Sequence, residues 1–203
     1  MRDGNYQRTT IEERKTMTEE LLKAYEVLEK GGIILYPTDT IWGIGCDATK
    51  VKSVDRIFKI KKRDPARSLI ILLDQFEKLH RYVDKVPAIA LDLINSIDTP
   101  LTIVYPGGKN LAKNLLAEDG SIGIRIVKTE FCRRLISLLN APLVSSSANF
   151  SGQSTPLMFC KISPEIIKSV DYVVDFERDA INQVRPSTVI KFTDNESYQI
   201  IRT

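Results

Sequence analysis

Five places in the chain carry residue types that could do chemistry. The stretch YPTDTIWGIGCDA (residues 36–48) sets Thr38, Asp39 and Thr40 just past a short apolar run. KIKKR (59–63) brings Lys61 and Arg63 together at the end of a basic segment. SSSANFSG (145–152) holds Ser147 and Asn149, and RPSTV (185–189) holds Ser187 and Thr188. Arg125 sits inside the apolar run SIGIRIV (121–127). A buried arginine without a partner is costly, so Arg125 either pairs with a carboxylate or faces an anion. Taken singly, the serine-rich and Pro-Ser-Thr stretches read as ordinary capped turns and strand starts. Taken together, positive heads and small neutral donors suit a site that holds a polyphosphate and orients a nucleophile. No evident general base accompanies them.

Other chemistries fit poorly. Gly43, Gly45 and Ala48 match G-x-G-x-x-A, but Pro37 and the Thr-Asp-Thr step separate them from the preceding strand, which argues against a dinucleotide site. No G-x-x-x-x-G-K-[ST] P-loop occurs. His80 is the only histidine, so a histidine-based triad or zinc site has little to draw on; it is expected at the surface or its boundary. Cys46, Cys132 and Cys160 are far apart and form no C-x-x-C pair, as expected of thiols in a reducing cytosol.

The elements that must position these groups follow from periodicity and punctuation. Residues 1–16 are polar and expected to be flexible, leaving one domain over 17–203. Thr18 is placed to cap a first helix that Gly31-Gly32 would stop. Strands are expected at 33–36, 69–73, 101–105, 121–127 and 142–147, and in DYVVDF, STVIKF and YQIIR. Helices are expected near 52–62, 74–82, 87–97 and 163–169, with another from Thr129. Strands often follow one another directly, which favours a twisted, mixed, mostly antiparallel sheet flanked by helices: a single α/β domain. No apolar run approaches the roughly 20 residues of a membrane helix.

The 203 residues carry a net charge of +3, but the charge is uneven. Between Lys50 and Arg67 lie Lys50, Lys52, Arg56, Lys59, Lys61, Lys62, Arg63 and Arg67, opposed by Asp55 and Asp64. A nearly one-signed stretch of this kind points to phosphate, nucleotide or RNA.

YPTDTIWGIGCDA, KIKKR, SSSANFSG and PSTV, in this order, resemble the YrdC-like family, the threonylcarbamoyl-AMP synthases, in its short form; TPLTIVYPG (99–107) is similar too. The resemblance implies a YrdC-like fold and synthesis of threonylcarbamoyl-adenylate and pyrophosphate from L-threonine, bicarbonate or CO2, and ATP with Mg2+. It implies a cytoplasmic role in tRNA threonylcarbamoyladenosine modification, with a downstream transferase complex as partner. Lys61, Arg63, Ser147 and Asn149 match the family's tetrad around the phosphates and carbamoyl group. Thr38, Asp39, Thr40, Arg125, Ser187 and Thr188 match its substrate-binding positions. Magnesium is expected with ATP, with no protein ligand assigned. Trp42 stands where the family often has tyrosine, and Lys62 where glycine is frequent. The competing expectation is a double-stranded RNA or tRNA binder without catalysis.

Overall fold

The computed structural model describes residues 3–66, 68–179, 187–193 and 197–202, with side chains from residue 15 onward. Helix α1 (Asp3–Glu29) opens it. Thr18 therefore lies within the helix and does not cap it. Between Gly4 and Gly31 the chain has neither glycine nor proline, so nothing local stops helix propagation. Gly31 ends it at φ +79°, with the amides of Gly31 and Gly32 donating back to Leu28 and Val27 carbonyls.

Nine strands form one sheet: β1 (Ile34–Tyr36), β2 (Gly43–Gly45), β3 (Ile70–Leu73), β4 (Leu101–Tyr105), β5 (Ile122–Ile126), β6 (Leu143–Ser147), β7 (Tyr172–Val173), β8 (Thr188–Phe192) and β9 (Tyr198–Arg202). Their spatial order is β7-β1-β2-β6-β3-β5-β4-β8-β9. Antiparallel pairings outnumber parallel ones, the latter being β1 with β7, β3 with β5 and β4 with β8. Alternation along the strands sends Leu35, Ile71 and Val144 to one core and Ile34, Leu72 and Leu143 to another. The second core is closed by α1 and α4 (Glu130–Leu139), through Leu21, Ala24 and Leu28 against residues such as Phe131 and Leu135. The first core takes Val54, Ile57 and Phe58 of α2 (Val51–Lys61) and Ile166 of α5 (Pro164–Ser169), and Leu93 of α3 (Ile89–Ser96) packs against it.

Strand β2 is not among the strands that the sequence pattern predicts. Gly-Ile-Gly has poor strand propensity, yet it is paired on both sides, with Tyr36 opposite Gly43 and Gly43 opposite Ser147. The Tyr36 ring explains the glycines. A Cβ on Gly45 would lie 2.3 Å from the Val144 carbonyl oxygen and 2.8 Å from the Tyr36 ring. One on Gly43 would lie 3.3 Å from the same ring. The fully buried tyrosine thus occupies the space that side chains would take, with its hydroxyl donating to the Val144 carbonyl at 3.2 Å. We expect Gly45→Ala to destabilise the protein by about 1–3 kcal/mol through overpacking against backbone, read from urea unfolding midpoints at constant slope.

Candidate active site

A cavity of about 200 Å³ opens where β2, β6, β3 and β5 lie side by side. Its wall includes Thr38, Thr40, Gly43, Arg63, Arg125, Ser145, Ser146, Ser147, Ser187 and Arg202. Segments spread from residue 38 to residue 202 therefore meet in one hollow. Among the described lining residues there are three guanidinium groups and no carboxylate or imidazole.

Arg63 reaches the cavity because of how α2 ends. Lys62 takes a left-handed conformation, φ 49° and ψ 43°. Its amide donates to the Lys59 carbonyl and that of Arg63 to the Phe58 carbonyl, a paired closure that reverses the chain. This geometry is one glycine adopts most readily, yet a lysine holds it here. Arg63 then donates to the Ser68 carbonyl at 3.0 Å and lines the cavity.

Lys61, two residues before Arg63 in the sequence, is placed differently. It is 1 % exposed and does not line the cavity. Its Nζ donates to the carbonyls of Ser147 and Asn149, the latter at 2.6 Å. The Lys61 carbonyl in turn accepts from the Ser151 amide at 2.9 Å. Lys61 is thus a clasp that holds the loop after β6 against the end of α2. Burial, reinforced by the Arg63 guanidinium, lowers its pKa to about 7.

Of the remaining tetrad, Ser147 lines the cavity. The Asn149 amide nitrogen donates to the Gln153 carbonyl at 2.6 Å, while its Oδ1 is buried without a hydrogen-bond partner. Asn149 itself is not in the cavity wall.

The Thr-Asp-Thr step forms the turn between β1 and β2. Thr38 Oγ1 donates to the Ile41 carbonyl at 2.6 Å and lies 3.0 Å from Thr40 Oγ1. Arg125 Nη1 donates to Thr40 Oγ1 at 3.2 Å, and Arg125 Nη2 lies 3.3 Å from Asp39 Oδ1. Arg125 therefore does both things that its buried position allowed: it pairs with a carboxylate and it faces the cavity. Asp39, in contrast, is not part of the wall: its carboxylate meets Arg125 and borders a separate small void.

Ser187 and Thr188 are also separated. Ser187 lines the cavity and its hydroxyl lies 2.9 Å from that of Thr102 on β4. Thr188 starts β8 opposite Leu101 and is not in the wall. Arg202 was not singled out by sequence reasoning. It comes from β9, and its Nη2 donates to the Ser187 carbonyl at 3.0 Å. A lone arginine at the end of an edge strand carries no local signal; only the pairing of β8 with β9 brings it here.

The basic stretch is partly spent inside the molecule. Lys50 donates to the Glu29 carbonyl, Arg56 forms a forked pair with Asp171, and Lys61 is buried. Lys52 and Lys59 are exposed, and Lys62 lies over the Phe150 ring. Arg67, Arg185 and Pro186 lie outside the described residues. Trp42 is core, fully buried against Phe159 with ring centroids 4.8 Å apart, and His80 is exposed. Cys46 and Cys132 are buried and Cys160 is exposed. Among the described residues no helix is long and apolar enough to cross a membrane.

Comparison with known proteins agrees with this geometry. The family model Sua5/YciO/YrdC, described as telomere recombination, matches residues 26–203. A threonylcarbamoyl-AMP synthase of Pseudoalteromonas translucida is 34% identical over 169 residues, covering 82% of this chain and 89% of the relative. One of Xanthomonas euvesicatoria is 31% identical over 190 residues, covering 92% and 99%. The structure of P. abyssi Sua5 in complex with L-threonine superposes with a TM-score of 0.80 at 26% identity over 90% of this chain. The chain spans only 53% of that protein.

The Lys61 clasp has a pH signature. Its folded pKa of about 7 lies below the ordinary value of 10.5, so the fold binds this proton more weakly than the unfolded chain does. The cost of burying it is fully present below about 7 and fades as pH rises toward about 10.5. In melting curves, the stability of wild type relative to Lys61→Met should therefore increase with pH across this window. A constant difference would contradict the assignment.

Proposed function

This chain belongs to the Sua5/YciO/YrdC family, and we propose that it is a threonylcarbamoyl-AMP synthase, a nucleotidyltransferase. It joins L-threonine, bicarbonate or CO2, and ATP into threonylcarbamoyl-AMP and releases pyrophosphate. The observation that carries this reading is the wall itself: Arg63, Arg125 and Arg202 face one hollow whose other polar side chains are hydroxyls. Guanidinium groups bind carboxylate and phosphate in forked geometry, and this cavity offers sites for both.

The threonine carboxylate sits against Arg125, Thr38, Thr40 and Ser187, and the nucleotide phosphates face Arg63 and the serines of β6. The threonine nitrogen attacks the carbon of CO2 and releases a proton to water, forming a carbamate. A carbamate oxygen attacks the α-phosphorus, the bond from that phosphorus to the bridging oxygen breaks, and pyrophosphate leaves with the electron pair. Such transfers depend mainly on positioning and charge neutralisation, which suits a site with no evident side-chain base. Lys61 acts by holding the backbone that presents Ser147 and Asn149. The described wall provides hydroxyls but no carboxylate for a metal. Magnesium is therefore proposed to arrive on the triphosphate, where phosphate oxygens and water are its natural ligands.

The product is consumed in the cytoplasm by a threonylcarbamoyl transferase complex acting on a tRNA adenosine. The competing reading is a double-stranded RNA or tRNA binder without catalysis. It is weakened by the engagement of Lys50, Arg56 and Lys61 within the fold. The exposed Lys52 and Lys59 leave room for a secondary tRNA contact.

Pyrophosphate release should require L-threonine, bicarbonate and ATP together, and omission of any one should abolish it. Arg63→Ala should lower the rate by about 10²–10³-fold, as for loss of one preorganised electrostatic donor, with an unchanged circular dichroism spectrum. Salt-sensitive RNA binding with no threonine-dependent turnover would favour the competing reading.

A further inference from the structure

We infer that Asp39 is a positioning residue that acts only through Arg125, setting the affinity for the amino-acid substrate without touching it. The inference rests on the synthase reading above and assigns Asp39 a different task from its threonine neighbours. Thr38 and Thr40 line the cavity, whereas Asp39 does not. Asp39 instead borders a separate void of about 10 Å³, with Ile94, Ile97, Thr99, Leu101 and Lys128. Its side chain is 10% exposed and that of Arg125 4%, so neither charge is well solvated.

The geometry forms a short chain of contacts. Asp39 Oδ1 stands 3.3 Å from Arg125 Nη2, while Arg125 Nη1 donates to Thr40 Oγ1 at 3.2 Å. Thr40 and Thr38 hydroxyls are 3.0 Å apart. Among the described residues, Asp39 is the one carboxylate paired with Arg125. Neither Asp39 Oδ1 nor Arg125 Nε has a hydrogen-bond partner. Arg125 is therefore held by few contacts, and the charge of Asp39 is chief among those that pull its guanidinium in one direction. A buried guanidinium that loses its only paired carboxylate must move or draw in water. Either change spoils the fixed fork that a substrate carboxylate meets.

The test compares wild type, Asp39→Asn, Arg125→Met and the double variant, with pyrophosphate release and calorimetric L-threonine binding as readouts. Asp39→Asn keeps the shape and removes the charge. We expect its KM for L-threonine to rise about tenfold or more, with kcat and the KM for ATP nearly unchanged, because the lost contact serves ground state and transition state alike. Adding Asp39→Asn to Arg125→Met should cause no further loss, since the residue through which it acts is gone. An unchanged or lower threonine KM, or losses that simply add in the double variant, would overturn the inference. If Asp39→Asn fails to fold, calorimetry on Asp39→Glu decides: threonine affinity weaker than wild type supports the role, and wild-type affinity refutes it. Wild-type protein that neither binds threonine nor releases pyrophosphate would overturn both this inference and the synthase reading. Active wild type with an indifferent Asp39→Asn would overturn this inference alone.

Discussion

The end of helix α2 and the loop after strand β6 are almost ninety residues apart in the chain, and one buried amine joins them. Lys61 donates to the carbonyls of Ser147 and Asn149, and its own carbonyl receives the Ser151 amide. Backbone groups in such a loop would otherwise be left short of partners, at about 1–3 kcal/mol each when buried. The clasp satisfies them and, in doing so, fixes where Ser147 stands relative to Arg63. The cavity exists because these two segments are locked together. The lowered pKa of Lys61 is the electrostatic counterpart of that lock: a long side chain has been taken out of water to serve the backbone.

A second constraint acts from the opposite wall. The Tyr36 ring lies across Gly43 and Gly45, so the chain entering and leaving the Thr-Asp-Thr turn is narrow and closely packed. That turn carries two hydroxyls into the cavity and one carboxylate behind it. Arg125 enters from β5, a strand buried along most of its length, and is tolerated there because Asp39 meets it. The site thus keeps cationic groups in a partly dry hollow by balancing one of them from outside the wall. Arg63 reaches the same hollow by the left-handed closure at Lys62, and Arg202 by the pairing of the last two strands.

Much of the fold was legible in the chain. Most strands lie within a residue or two of the apolar runs that announce them, and the mixed, mostly antiparallel sheet follows from strands that succeed each other directly. The exceptions have physical causes. Helix α1 begins earlier than its cap signal because, after Gly4, the polar segment before Thr18 contains neither glycine nor proline to break a helix. Strand β2 was hidden because its glycines are chosen for the space a neighbouring tyrosine needs, which no local propensity reports. Family membership rests on motif order and on the comparisons, which agree over residues 26–203.

The sequence by itself determined which side chains are available: guanidiniums, hydroxyls and an amide at strand ends, a single histidine, and glycines where the backbone must pass closely. Residue identity and local spacing suffice for that, because charge, hydrogen-bonding capacity and backbone freedom belong to each residue alone. Only the tertiary structure decided what each one does. It left Lys61 and Asp39 outside the cavity wall, put Ser187 in the wall and Thr188 out of it, and added Arg202. Direction relative to a cavity depends on strand alternation, sheet order and contacts between distant segments, and none of these is a property of a short stretch of chain.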